Sequence, residues 1–286
     1  MERLSGVNLA LTGVPRGGTT LACQMLGRCR NAMALFEPMP VLTLPQERSS
    51  AAKQVLEFFT ESRQRLLQDG VAPSKQRDGE LPDNFFGESV GGGERPSLVE
   101  LGLVRAGAPL SADFTLVVKH NAAFTALLPE LVPHVPVLAI VRNPLAVLAS
   151  WHSVALPVRE GRLPAGERLD AELAETLAGE SVCLVRQLKV LEWFYARYAE
   201  HLPSEGVLRY EDVVSSQGAL LYACAGLIPT TITPLQERNS RPRCCAATLT
   251  TLTDALLGAA GSWQRWYPRL EVELLARQLQ HTLAEG

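Results

Sequence analysis

Between Gly13 and Thr20 the sequence GVPRGGTT places three glycines, one arginine and two threonines directly after an apolar run at residues 7–11. Glycines let backbone N–H groups turn toward one point, and a helix beginning just beyond them offers its free amides to an anion. A helical pattern does begin at Thr19, with Leu21, Met25 and Leu26 on one face. The spacing approaches the phosphate-loop pattern G-x-x-x-x-G-K-[ST], because four residues separate Gly13 from Gly18 and two hydroxyl residues follow. Thr19 takes the place of the lysine that would reach the β- and γ-phosphates of a triphosphate. The loop carries its cation earlier, at Arg16. Such a loop suits a shorter anion, one phosphate with room for one group beyond it. A glycine turn that binds nothing is the plainer alternative and stays open at this point.

Three further places bear chemistry. Arg142 follows the strongest apolar run, residues 135–141, and Ser150 comes eight positions later. Eight residues are a little over two helical turns, so the two side chains meet only if the chain turns sharply between strand and helix. With that turn they form a second phosphate site; without it they are a cap and a packing residue. Glu37 ends the short run 33–38, and in an open α/β sheet the carboxyl ends of strands form the ligand edge. Lys119 and His120 end the buried-type run 114–118. Glu37 and His120 are therefore the candidate bases.

These residues need alternating strands and helices to hold them. Helical patterns are expected near residues 19–28, 51–67, 125–131, 145–154, 169–200, 248–257 and 271–283. A short strand is expected at 205–210, with Glu211 and Asp212 opening the next helix, where carboxylates suit the helix dipole. The alternation predicts a mostly parallel central sheet with helices on both faces, in a single domain spanning 1–286. Residues 40–112 match no regular pattern beyond the one helix. Residues 69–109, rich in Gly, Pro and charge and including Gly91-Gly92-Gly93, read as a cap or substrate-loop insertion, or else as disordered chain.

Bulk composition narrows the class. With 286 residues, 47% of them hydrophobic, the chain can bury a sizeable core, and a formal net charge of −3 gives no general pull toward nucleic acid. The opening MERLSG lacks a basic segment followed by an apolar one, and no apolar stretch has bilayer length, so neither a signal peptide nor a membrane span is expected. Six cysteines show neither zinc-ligand nor disulfide-framework spacing, which suits a reducing cytoplasm with free, mostly buried thiols. No metal site is expected.

The segments PRGGTTL, IVRNPLAVLAS and RYED, in this order, resemble those of sulfotransferases that use 3′-phosphoadenosine 5′-phosphosulfate, with the bacterial and carbohydrate-type members nearest. The resemblance covers the first thirty-eight residues, 114–153 and 207–212, and more weakly 261–268, where Trp263 lies in GSWQRWYP. It implies a P-loop nucleoside-triphosphatase-like α/β fold. It implies that Arg16, Gly17, Gly18, Thr19, Thr20 and Leu21 hold the 5′-phosphosulfate, that Arg142 and Ser150 hold the 3′-phosphate, and that Tyr210 lies near adenine. Arg16 stands where cytosolic members usually have lysine, and Leu21 where they place a tryptophan against the base.

The same resemblance implies transfer of a sulfuryl group to a hydroxyl or amine on a small-molecule or glycan acceptor. Glu37 matches the carboxylate base of bacterial and carbohydrate members and ranks first. Lys119-His120 resembles the lysine-x-histidine of cytosolic members with the histidine one residue early, which on a strand would turn His120 to the other face; Lys119 would neutralise the transferring group. Two alternatives stand beside this expectation: an ATP- or GTP-dependent kinase or NTPase with a degenerate loop, and a non-catalytic nucleotide-binding module.

Overall fold

The computed structural model describes residues 6–81, 85–87 and 96–285; the opening MERLS and the Gly91-Gly92-Gly93 run lie outside them. Five strands form one sheet: β1 (Asn8–Gly13), β2 (Ala32–Phe36), β5 (Thr115–Lys119), β6 (Val137–Val141) and β7 (Val207–Arg209), in the order β2-β5-β1-β6-β7. Every pairing in it is parallel. Strand residues alternate between two apolar clusters, one on each face. Ala10, Leu116, Val118, Ala139 and Val141 belong to one, and Leu9, Leu11, Val117, Leu138 and Ile140 to the other. Burial on both faces explains why these strands read as continuous apolar runs.

Register aligns the strand ends. Leu11 and Phe36 both sit opposite Lys119, Gly13 opposite Ile140, and Val141 opposite Arg209. The glycine loop, Glu37, Lys119, Arg142 and Tyr210 thus all leave the sheet at its carboxyl edge, with β1 central between β5 and β6.

Residues 40–112 are more regular than expected. The helix Arg48–Asp69 is capped by Glu47, whose carboxylate accepts from Ser49 N and Ser50 N, and it stops at Gly70 with φ 68°. It leads into β3 (Val71–Gln76), which pairs antiparallel with β4 (Glu100–Arg105) as a separate two-stranded sheet. Ser74 Oγ accepts from Phe36 N at 2.9 Å, so this pair docks onto the edge strand β2.

The helix expected over 169–200 is divided into Ala171–Ala178 and Cys183–His201, interrupted at residues 179–182 (GESV). The thiol expectation is also corrected. All six cysteines are free, but only Cys23 and Cys29 are buried. Among the described residues no helix is long and apolar enough to cross a membrane.

Candidate nucleotide and acceptor site

The loop after β1 is shaped by close approach. Gly13 has φ 154°, and a Cβ there would stand 2.3 Å from the Ile140 carbonyl oxygen and 2.5 Å from Thr19 Cγ2. Gly18 has φ 99°, and its Cβ would stand 2.6 Å from the Tyr210 ring. Only glycine fits either position. Arg16 also takes positive φ, 69°, a conformation unfavourable for a residue with a side chain. Two outside donors hold the loop there: Trp151 Nε1 donates to the Pro15 carbonyl at 2.9 Å, and Arg142 Nη1 to the Arg16 carbonyl at 3.1 Å. The helix Thr19–Gly27 starts directly afterwards with no side-chain cap, leaving its first amides for another acceptor.

After β6 the chain does turn sharply. Asn143 Oδ1 accepts from Leu145 N at 3.1 Å, and Pro144 opens the helix Pro144–Trp151. The turn brings Ser150 back to the loop, but its Oγ accepts from Arg16 Nε at 3.2 Å rather than from Arg142. The Arg142 guanidinium lies over the Tyr210 ring at 4.7 Å and donates from Nε to Asn239 Oδ1 at 2.6 Å. Glu211 holds that partner in place, accepting from Asn239 Nδ2 at 2.6 Å, Asn143 N at 3.0 Å and Tyr267 Oη at 2.6 Å.

At the other end of the edge, Glu37 continues the β2–β5 ladder, its N–H donating to the Lys119 carbonyl at 2.9 Å, yet it adopts φ 40°. Its carboxylate bridges two lysines, Lys119 Nζ and Lys75 Nζ, each at 2.5 Å. Burial alone would raise the Glu37 pKa, but Lys119, Lys75 and His120 outweigh it and hold the carboxyl well below the usual range. Lys119 is only 3% exposed, so this is a largely buried pair.

His120 does not turn away as the strand alternation suggested. The chain leaves β5 at this residue, and Lys119 and His120 both reach the same cavity wall. His120 Nε2 accepts from Met39 N at 3.2 Å, which makes the ring neutral with its proton on Nδ1, and burial pushes its pKa down to about 3. That nitrogen is therefore engaged and weakly basic.

One cavity of about 1210 Å³ joins these parts. On its wall stand Arg16, Gly18, Thr19, Thr20 and Leu21 from the loop, then Glu37, Lys119 and His120, then Arg142, Ser150 and Tyr210. Gly17 lies behind the wall, donating its N–H to the Val14 carbonyl at 2.8 Å. Trp263 is buried in the core and borders a second cavity of about 600 Å³.

Sequence reasoning missed Lys75, delivered by the β3–β4 pair, and Asn239, which anchors Arg142. It also missed Arg238, Arg241 and Arg243 on the wall. The closely spaced arginines in RNSRPR at 238–243 were the available signal. Among the described residues, nine Lys or Arg side chains line the cavity against one carboxylate, Glu37, although the whole chain has formal net charge −3. No protein-family model matches this chain, and no curated protein matches it.

Proposed function

We propose that this chain is a sulfotransferase with a P-loop nucleoside-triphosphatase-like fold. In this reading it moves a sulfuryl group from 3′-phosphoadenosine 5′-phosphosulfate to a hydroxyl or amine on an acceptor. The observation that carries the reading is the direct contact of Arg142 with the Arg16 carbonyl, which sets two guanidinium groups on one cavity wall beside an uncapped helix start. A nucleotide with phosphate on both sides of its ribose needs two such cationic positions. The glycine cradle fits as well, since backbone amides can approach a phosphate only where no Cβ intervenes. The volume exceeds the roughly 300–1,000 Å³ of ordinary single-ligand pockets, which suits a nucleotide and an acceptor side by side.

When bound, the nucleotide supplies an activated sulfuryl group and a 5′-phosphate leaving group. Arg16 and the loop amides would hold that phosphate and offset the charge it carries as a leaving group. Arg142 anchors the far phosphate, and Tyr210 and Leu21 flank the base. Lys119 and Lys75 keep Glu37 ionised until an acceptor arrives. An acceptor hydroxyl placed at Glu37 would give its proton to that carboxylate, and Lys119 and Lys75 beside it would offset the charge of a sulfuryl group held there. This assigns Glu37 the role of base and leaves His120 to hold the 37–39 turn.

The test is incubation with the sulfate donor and a pool of hydroxyl compounds, followed by mass spectrometry. Products heavier by one sulfuryl group, formed without ATP or GTP, are expected. Magnesium-dependent phosphate release from ATP or GTP with no sulfated product contradicts the reading and favours a kinase or NTPase. Bisphosphate binding with no product from any acceptor favours a non-catalytic module.

A further inference from the structure

The two-stranded sheet ends in an open edge. β4 pairs with β3 alone, in a register that places Leu101 opposite Lys75, Leu103 opposite Pro73 and Arg105 opposite Val71. One step past Arg105, Ala106 N donates to the Gly70 carbonyl at 3.0 Å and continues that register. Bonded and non-bonded pairs alternate along an antiparallel ladder. Because Gly70 and Ala106 are bonded, so are the pairs through Gly102 and Val104, and the pairs through Leu101, Leu103 and Arg105 are not. Pro73 agrees, since it has no N–H to give Leu103. The N–H and C=O groups of Leu101, Leu103 and Arg105 therefore point away from β3, and among the described residues nothing hydrogen-bonds to them.

Sheets ordinarily blunt such an edge with proline, a bulge or an inward charge. β4, ELGLVR, has no proline, and its ladder to β3 runs without a bulge. Its exposed face is apolar, with Leu101 60% and Leu103 58% exposed and Pro73 beside them. Its charges, Glu100 and Arg105, stand only at the ends.

Unpaired backbone groups call for another strand, and the side chains suit a second β4 related by a two-fold axis at Gly102. Leu101 of each copy then lies opposite Leu103 of the other. These outward-facing pairs exchange both N–H···O bonds, and the leucines of both copies form one stripe. The two Gly102 residues meet as a non-bonded pair, where Cα atoms approach to about 4.5 Å. Neither has a Cβ, and the place of one is taken by Gln76 Nε2, 2.8 Å away. Glycine inside a strand suits such an approach of another backbone. The axis also separates like charges. Arg105 of one copy lies opposite Val99 of the other, so the two arginines are about 20 Å apart along the ladder, well beyond the screening length of about 8 Å. A parallel pairing of the same strands would set them side by side. Val99 borders the large cavity.

We infer that the chain forms a two-fold dimer through β4, which joins the two β3–β4 pairs into one four-stranded antiparallel sheet and brings each copy's Arg105 to the rim of the other's cavity. Nothing in this pairing depends on the sulfotransferase reading. One strand pair is small against the roughly 1,200–2,000 Å² of stable interfaces, so the dimer is weak and concentration-dependent.

The experiment is sedimentation velocity of the full chain from micromolar to millimolar concentration, with hydrogen–deuterium exchange at both extremes. The wild type is expected to shift from monomer to dimer as concentration rises, and exchange across residues 100–105 to slow with it. Leu103→Pro removes an outward N–H that β3 does not use and should abolish the shift. Leu101→Lys puts a charge in the leucine stripe and should weaken association about tenfold or more. Its exposed position guards against a Leu103 variant that fails to fold. A chain monomeric throughout, a dimer untouched by both substitutions, or a dimer whose exchange at 100–105 does not slow overturns the inference. So does a monomeric chain protected at 100–105 only by an added Thr-Val repeat peptide, which would assign the edge to a foreign strand.

Discussion

Arg142 reaches across 126 positions of sequence to donate Nη1–H to the Arg16 carbonyl at 3.1 Å. The bond ties the phosphate-type loop to the end of the neighbouring strand, and it joins the residues assigned to the two ends of one nucleotide. Arg142→Lys keeps the charge but loses the planar fork that serves Asn239 and Arg16 together. We expect it to lower unfolding free energy by about 1–2 kcal/mol in urea titration. A variant as stable as wild type would show that the tie contributes nothing.

Gly18→Ala should disturb the loop more than Gly79→Ala. Both positions have positive φ, but a Cβ at Gly18 meets the Tyr210 ring at 2.6 Å, whereas at Gly79 nothing lies within 4 Å. The Gly79 change costs about 1 kcal/mol of backbone strain. The Gly18 change adds displacement of Tyr210 from beneath Arg142. Paired thermal melts should show the larger drop for Gly18→Ala, and equal drops would refute the packing argument.

In the proposed reaction Lys75 is expected to set the acid limb. With Lys75→Met, Glu37 keeps Lys119 but loses one of its two counter-charges. Its pKa must then rise, because a nearby cation favours the charged carboxylate. A carbon-13 pH titration of the Glu37 side chain should show the upward shift, and the acid limb of the rate profile should move to higher pH with it. An unmoved titration would mean that Lys75 does not control this carboxylate.

Stability should fall as acid is added, first through His120. Burial depresses its pKa from an ordinary 6.5 to about 3, so below pH 6.5 the unfolded chain takes up a proton that the folded chain refuses. The stability this neutral ring contributes is present above pH 6.5 and is lost progressively as pH falls toward 3, by up to about 1.4 kcal/mol per pH unit. Glu37 adds to the slope only below its ordinary value of 4.5, because its folded pKa is also depressed. Comparing urea unfolding of wild type and His120→Gln at pH 7 and at pH 5 isolates the imidazole. The gap in stability should narrow at the lower pH, and a constant gap would contradict the assignment.

Much of the sheet could be read from sequence because its strands are buried on both faces and stand out as apolar runs. The 7–11 run lies largely within Asn8–Gly13, and 33–38 overlaps Ala32–Phe36. The β3–β4 pair was hidden for a physical reason. VAPSKQ carries a proline and polar alternation, ELGLVR exposes Leu101 and Leu103, and residues 77–99 separate the two, so no tight-turn signal joins them. Lys75 was hidden with it, since only the docking of Ser74 on Phe36 brings that lysine to Glu37. Ser150 illustrates the limit of spacing. Its place on the wall followed once the turn at Asn143 formed, but its partner is Arg16, which no linear count reveals. The acids after Arg209 looked like a helix-dipole feature, whereas Glu211 ties Asn143, Asn239 and Tyr267 together.

Calorimetric titration of adenosine 3′,5′-bisphosphate into wild type, Arg16→Ala and Arg142→Ala bears most directly on the central claim. The account predicts one site in the wild type and at least about a tenfold loss of affinity in each variant, the scale of one charge-assisted contact. No binding to the wild type, or affinity untouched by both substitutions, would contradict it.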